Sequence, residues 1–206
     1  MAHPFSETER HEIRKRIMAE AYRLFSNGGA AAVSLSRVTG AAGIAKTSFY
    51  AFFPSKEALL LDLLAEEAPG VSARVMAPLQ DSSCPARDAL TRFLSALLRE
   101  YETNPFLARL VTEPETLNVI ARRVRPEDLA RKSVWMEEPL RAFFQSRMRT
   151  GEIVAMPLET ALDLVRSVSL LSLHRDRFGS AARFEAAAEA LIDFVSGGFT
   201  RKEPDT

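Results

Sequence analysis

From Ser6 to about Gly198 the apolar residues recur every three or four positions, and no stretch alternates apolar and polar for long. That period belongs to the α-helix, so the chain is expected to be all-α, with nine to ten helices. The breaks are marked by local chemistry. Ser6 and Glu9 form a capping-box pair ahead of a face made by Ile13, Ile17, Ala21, Leu24 and Phe25. Asn27-Gly28-Gly29 stops that helix. Ser34 caps a short helix through about Ala41, Gly43 breaks it, and another short helix spans about Ala45 to Phe53. Pro54-Ser55 starts a helix carrying Leu59, Leu60, Leu63 and Leu64 that weakens at Pro69-Gly70.

Beyond a loop around 78–85, an amphipathic helix fits 86–103. Asn104-Pro105, Pro114 and Pro126 mark further starts. A helix over about 126–149 is expected to kink at Pro139 and end at Thr150-Gly151. Pro157 opens a helix to about Arg177, and Ser180 caps the last one, which ends at Gly197-Gly198. Gly151 to Ala155 can be extended but is too short to found a sheet.

Composition narrows the classes. With 206 residues and 47% hydrophobic content, the chain has material for a buried core in one large or two small domains. Its net charge is zero, yet residues 1–57 hold eight Lys/Arg against five Asp/Glu. The excess is small and has the sign expected of a DNA-facing N-terminal part. A single cysteine, Cys84, excludes an internal disulfide and fits a reducing cytoplasm. Met1 to Ser6 does not read as a secretion signal, and no uncharged apolar run reaches the roughly 18 residues of a membrane span. His3, His11 and His174 lack metal-binding spacing, and neither a Gly-rich phosphate loop nor a nucleophile elbow is present. No metal and no cofactor are expected.

The segment Val33–Leu60, VSLSRVTGAAGIAKTSFYAFFPSKEALL, holds the strongest pattern. Two helices of about two turns each are too short to stand alone, so they must pack on a neighbour. Val38, Ala42, Ile44, Phe49 and Phe53 supply an inward face, while Lys46, Thr47, Ser48 and Tyr50 look outward. A compact pair of this kind is the helix-turn-helix geometry, whose second helix enters the DNA major groove. Phe53 reads as a core aromatic. Tyr50 and Lys46 also admit plainer readings, as a core ring and a solvated lysine.

The same segment resembles the tetracycline-repressor (TetR) family. The matching residues are Ser34, Ala42-Gly43-Ile44, Tyr50, Phe53 and Ser55-Lys56-Glu57-Ala58-Leu59, with Ala21-Tyr22-Arg23-Leu24-Phe25 and Gly28 upstream. The resemblance covers about residues 10–64 and implies roles. Ser34 caps the first short helix and touches a phosphate. Ser36 and Arg37 lie near the backbone. Lys46 and Thr47 face bases, and Ser48 a base or phosphate. Tyr50 and Lys56 reach phosphates. Val38-Thr39-Gly40, Ala45 and Thr47 depart from the family pattern, where Ile-Ala, Ser and Gly or Pro are usual.

By the same resemblance, residues 6–54 form a three-helix DNA-binding domain and 55–199 a helical ligand-binding and dimerisation domain. The implied partners are double-stranded DNA with a palindromic site, a small organic effector and a second copy of the chain. The effector pocket draws on Phe93, Leu97, Tyr101, Phe106, Trp135, Phe143 and His174, each of which also reads as ordinary core or surface. The dimer face draws on Leu158, Ala161, Leu162, Val165, Val168, Ser169 and Ser172 with Phe184, Ala187, Ala188, Leu191 and Val195. Both stripes also read as intrachain core. Arg122, Arg123, Arg125, Arg131 and Lys132 read as a solvated face. The expected function is a cytoplasmic transcription regulator, nucleoid-associated when bound to DNA and released by its effector. The alternatives are an all-helical enzyme or ligand-binding protein without DNA activity, or a protein–protein module.

Overall fold

A computed structural model describes residues 5–123 and 137–200. Among them lie α1 (Glu7–Ala32), α2 (Leu35–Ala42), a 3-10 segment (Lys46–Ala51), α3 (Lys56–Gln80), α4 (Ala86–Thr103), α5 (Pro105–Thr112) and α6 (Pro114–Arg123). After these come α7 (Glu137–Thr150), α8 (Leu158–Leu170), a second 3-10 segment (Leu171–Phe178) and α9 (Ala181–Phe199). The extended residues after Gly151 make one isolated antiparallel bridge, Ile153 to Thr200. The chain is all-α, as its periodicity requires. Among the described residues no helix is long and apolar enough to cross a membrane. Two compact units are present: Met1–Glu67 with Asn104–Ser133, and Ala68–Thr103 with Val134–Thr206.

In the first unit, α1 begins with the expected capping box. The Ser6 N–H donates to Glu9 at 2.8 Å, and the Glu9 N–H donates back to the Ser6 hydroxyl at 3.3 Å. The Ser6 N–H, and then the Ser6 hydroxyl donating at 2.8 Å, hold the Glu9 carboxyl below the usual carboxylate range. Ile17, Ala21, Leu24 and Phe25 are buried, and each of the larger three contributes roughly 1.5–3 kcal/mol by leaving water. Regular helix fails at Gly28 and Gly29, the latter at φ 66. Phe106 of α5 packs on Phe25 and stacks on Tyr22, with ring centroids 4.7 and 5.4 Å away. Asn104 caps α5 by accepting from the N–H groups of Phe106 and Leu107 at 3.0 and 3.2 Å.

The second unit is built on α4, whose Leu90, Phe93, Leu94 and Leu97 are buried; α8 and α9 both pack on it. Arg147 of α7 ties the loop before α4 in place. Its guanidinium donates to the carbonyls of Asp81, Ser82 and Cys84 at 3.1, 3.3 and 2.9 Å, and to both Glu152 oxygens at 2.7 and 2.8 Å. Glu152 in turn accepts from the Ala86 N–H at 3.3 Å, at the start of α4.

Three expectations are corrected. The helix from Lys56 does not weaken at Pro69-Gly70 but runs to Gln80 with Pro69 and Pro78 inside it. Leu64, Ala68, Val71, Val75 and Leu79 continue one buried face across both prolines. That burial offsets the roughly 3 kcal/mol an interior proline costs. The segment after Gly43 is not a full α-helix over Ala45–Phe53 but the 3-10 turn Lys46–Ala51. Its cap position, Ala45, has no side-chain oxygen to satisfy the free N–H groups. Of the helix expected over about 126–149, the described part is α7 from Glu137 to Thr150. The start at Pro126 lies outside the described residues. Finally, α8 stops at Leu170 and gives way to 3-10 geometry through Phe178, while α9 runs on through Gly197-Gly198 to Phe199.

Candidate nucleic-acid interface

Residues 34–51 hold the two short helices against α1. The Ser34 hydroxyl accepts from the Arg37 N–H at 3.3 Å, the expected cap on α2. Gly43 closes α2 at φ 71, ψ 30, a left-handed conformation that glycine adopts without a side-chain clash. Val38, Ala42, Phe49 and Phe53 are buried beneath, and Ile44 is half-buried. Gly40, inside α2, lies on the exposed side.

The outward face is polar. Ser36, Arg37, Lys46 and Thr47 are exposed, and Ser48 is half-buried. Tyr50 is 61% exposed. Its ring meets Phe49 in a T-shaped contact with centroids 5.5 Å apart. Seven of the eight residues expected to meet DNA therefore sit on or beside one helix-turn-helix. Lys56 differs: it is half-buried, and its ammonium donates to the Ala30 carbonyl at 3.0 Å.

Two arginines of α1 support this face, and the sequence pattern did not single them out. Arg10 donates to the Ala51 carbonyl at 3.0 Å and lies 5.3 Å over the Phe52 ring. Arg14 lies 4.5 Å over the Phe53 ring and pairs with Asp62 at 2.7 Å. Both stand one turn apart on α1, a spacing that signals a shared face but not what that face touches. Glu113 was also missed. It accepts from the Ala30 N–H at 3.2 Å, and nothing in its local sequence announces that.

The six described pocket candidates divide between the two units. Phe93, Leu97 and Phe143 are buried in the second unit, where Tyr101 is half-buried and burial raises its phenol above the usual tyrosine value. Phe106 belongs to the core of the first unit. His174 is exposed on the 3-10 segment. Trp135 lies outside the described residues, as do Arg125, Arg131 and Lys132, whereas Arg122 and Arg123 are exposed. An open groove of about 480 Å³ on the first unit is lined by His11, Met18, Tyr22, Leu63 and Glu66, and by none of the six described candidates.

Half of the stripe residues on the last two helices are intrachain core. Ala161, Leu162, Val165, Val168, Phe184 and Ala188 are buried, while Leu158, Ser169, Ser172, Ala187, Leu191 and Val195 are half-buried. The apolar side chains these helices leave outward are Leu164 at 42%, Leu170 at 54% and Phe194 at 79% exposure.

Residues 17–63 match the family model described as bacterial regulatory proteins, tetR family. Over 110 residues the chain is 34% identical to the HTH-type transcriptional repressor KstR of Rhodococcus jostii, covering 52% of this chain and 49% of that protein. Over 97 residues it is 29% identical to the HTH-type transcriptional regulator EthR of Mycolicibacterium smegmatis, covering 47% and 45%. The chain thus spans about half the length of the curated relatives it matches. Among solved structures it resembles the TetR family regulator PfmR of Thermus thermophilus, with a TM-score of 0.60 and 25% identity over 90% of this chain and all of that one. It shares its fold with FadR of Bacillus subtilis, solved in complex with stearoyl-CoA, at a TM-score of 0.65 and 15% identity over 90% and 98% of the two chains. With its helix-turn-helix in place and these matches on both sequence and fold, residues 17–63 carry the segment described by the model of tetR-family bacterial regulatory proteins, and the chain as a whole is similar in fold to TetR family regulators.

Proposed function

We propose that this protein is a cytoplasmic, sequence-specific DNA-binding transcription regulator. On this reading it acts as a repressor that a small organic effector releases from a palindromic operator. The observation that carries the reading is the division of residues 34–53 into a buried apolar side and an exposed side bearing Ser36, Arg37, Lys46, Thr47 and Tyr50. Hydroxyl and cationic groups on a short helix suit phosphates and base edges. Lys46 and Thr47 read bases, Ser48 a base or phosphate, Ser34, Ser36 and Arg37 hold the backbone, and Tyr50 gives its phenol to a phosphate.

Residues 6–54 act as the DNA-binding part and 55–199 as the effector and dimerisation part. Two copies pair through the last two helices, with Phe194, Leu164 and Leu170 as the apolar contacts. The pair sets two recognition segments in successive major grooves about 34–36 Å apart. The effector sits against Phe93, Leu97, Tyr101 and Phe143 and favours a conformation of lower DNA affinity. When bound to DNA the protein is part of the nucleoid.

Selection from a random duplex library at fixed salt tests the reading, run beside a Lys46→Ala/Tyr50→Ala variant. An inverted repeat enriched by the wild type and lost by the variant supports it. No enrichment, or the same repeat from both proteins, overturns it.

A further inference from the structure

Ala30 is held on both sides by charged groups from distant parts of the chain. Its N–H donates to a Glu113 oxygen at 3.2 Å, and its carbonyl accepts from the Lys56 ammonium at 3.0 Å. Glu113 closes α5, and Lys56 is the first residue of α3. The Glu113 carboxylate also fills the space a Cβ on Gly29 would need, and Gly29 stands at φ 66. One turn earlier in α5, Arg109 donates to the carbonyls of Ser26 and Asn27 at 3.4 and 3.0 Å. These carbonyls stand directly before Gly28 and Gly29, where α1 departs from regular helix. Ala30 lies four residues before Ser34, whose hydroxyl starts α2.

Lys56 is half-buried, and moving its ammonium to a phosphate would leave the Ala30 carbonyl without this charged donor. We propose that Lys56 and Glu113 are positioning residues for DNA reading, which together hold Ala30 and so set where α2 and the recognition segment begin. Lys56 acts through the Ala30 carbonyl and not as a phosphate ligand. Glu113, an acid outside the helix-turn-helix, is required for tight binding although it repels DNA. The proposal rests on the DNA-binding reading above.

The experiment measures the Kd of the selected duplex across a salt series for wild type, Lys56→Met, Glu113→Ala and Glu113→Gln. Lys56→Met and Glu113→Ala each weaken binding by roughly tenfold, with the slope of log Kd against log salt unchanged. Glu113→Gln keeps an oxygen for the Ala30 N–H and recovers most of the affinity that Glu113→Ala loses. A slope shallower by about one unit per subunit in Lys56→Met makes Lys56 a phosphate ligand and overturns the proposal. So does wild-type binding by Glu113→Ala.

Amide exchange supplies a readout that needs no DNA. Residues 30–37 are expected to exchange roughly tenfold faster in Lys56→Met and Glu113→Ala, with the core of α4 unaltered. Unchanged exchange overturns the clamp. If the wild type selects no duplex, the DNA-binding reading falls, and exchange alone decides whether Lys56 and Glu113 hold Ala30.

Discussion

The Arg10 guanidinium donates to the Ala51 carbonyl at 3.0 Å, across 41 residues of sequence, at the last residue of the 3-10 segment proposed to read DNA. That segment has no side-chain cap at its start and only six residues. Its position therefore depends on what holds its other end. Arg10 satisfies a carbonyl there and covers Phe52, and Arg14 covers Phe53. Arg10→Gln is expected to weaken operator binding by roughly three- to tenfold while the melting temperature moves little, because the bond is exposed. Fluorescence anisotropy beside thermal unfolding checks this; equal affinity would show that the recognition segment holds itself.

Gly43 is expected to resist substitution for a conformational reason. It stands at φ 71, and a methyl group there would meet only the Arg16 guanidinium, 4.0 Å away. Space is therefore available, and the cost is the left-handed backbone, about 1–2 kcal/mol for alanine. Gly43→Ala should lower the melting temperature by roughly 2–8 °C. Gly40→Ala, where a Cβ has nothing within 4 Å, should raise it or leave it unchanged.

Arg147 and Glu152 make the loop before α4 sensitive to acid. The Arg147 hydrogen bonds first, then the Thr150 hydroxyl, the Arg147 charge and the Ala86 N–H, hold the Glu152 carboxyl below the usual carboxylate range. A carboxylate with a lowered folded pKa stabilises the fold above its unfolded pKa and loses that contribution as pH falls through the folded value. Thermal melts should therefore be flat near neutrality and decline below about pH 4.5. Glu152→Gln should flatten part of the decline. Arg147→Met leaves three carbonyls without this donor and should cost on the order of 3 kcal/mol at pH 7. A decline identical in Glu152→Gln and wild type would count against this account.

Phe194 is 79% exposed on α9, with Leu164 and Leu170 exposed on α8. Large apolar side chains left outward on neighbouring helices suit a helix-to-helix interface between copies. Phe194→Asp is expected to convert a dimer into a monomer, read as halved mass by light scattering after size exclusion, and to abolish tight operator binding. A wild-type monomer, or a Phe194→Asp dimer, removes α9 from the interface.

Much of this protein was determined by its sequence alone, wherever the physics is local. Ser6 with Glu9, Ser34, Asn104 and Ser180 each cap a helix because their oxygens reach N–H groups two or three residues on. Gly43 and Gly151 end helices because glycine tolerates positive φ. The spacing of Val38, Ala42, Phe49 and Phe53 showed which side of the helix-turn-helix is buried, and so which side is outward. Only the tertiary structure decided the rest. Pro69 sits inside a helix because burial on both sides of it outweighs the missing donor. The stripe from Ala161 to Val168 lies in the chain's own core, since helical period marks an apolar face without naming what covers it. Lys56 turns to Ala30, and Glu113 and Arg109 complete the glycine break after α1, because unsatisfied backbone groups take partners by proximity in space. Those partners stand 26 to 83 residues away in sequence, where no pattern of neighbours records them.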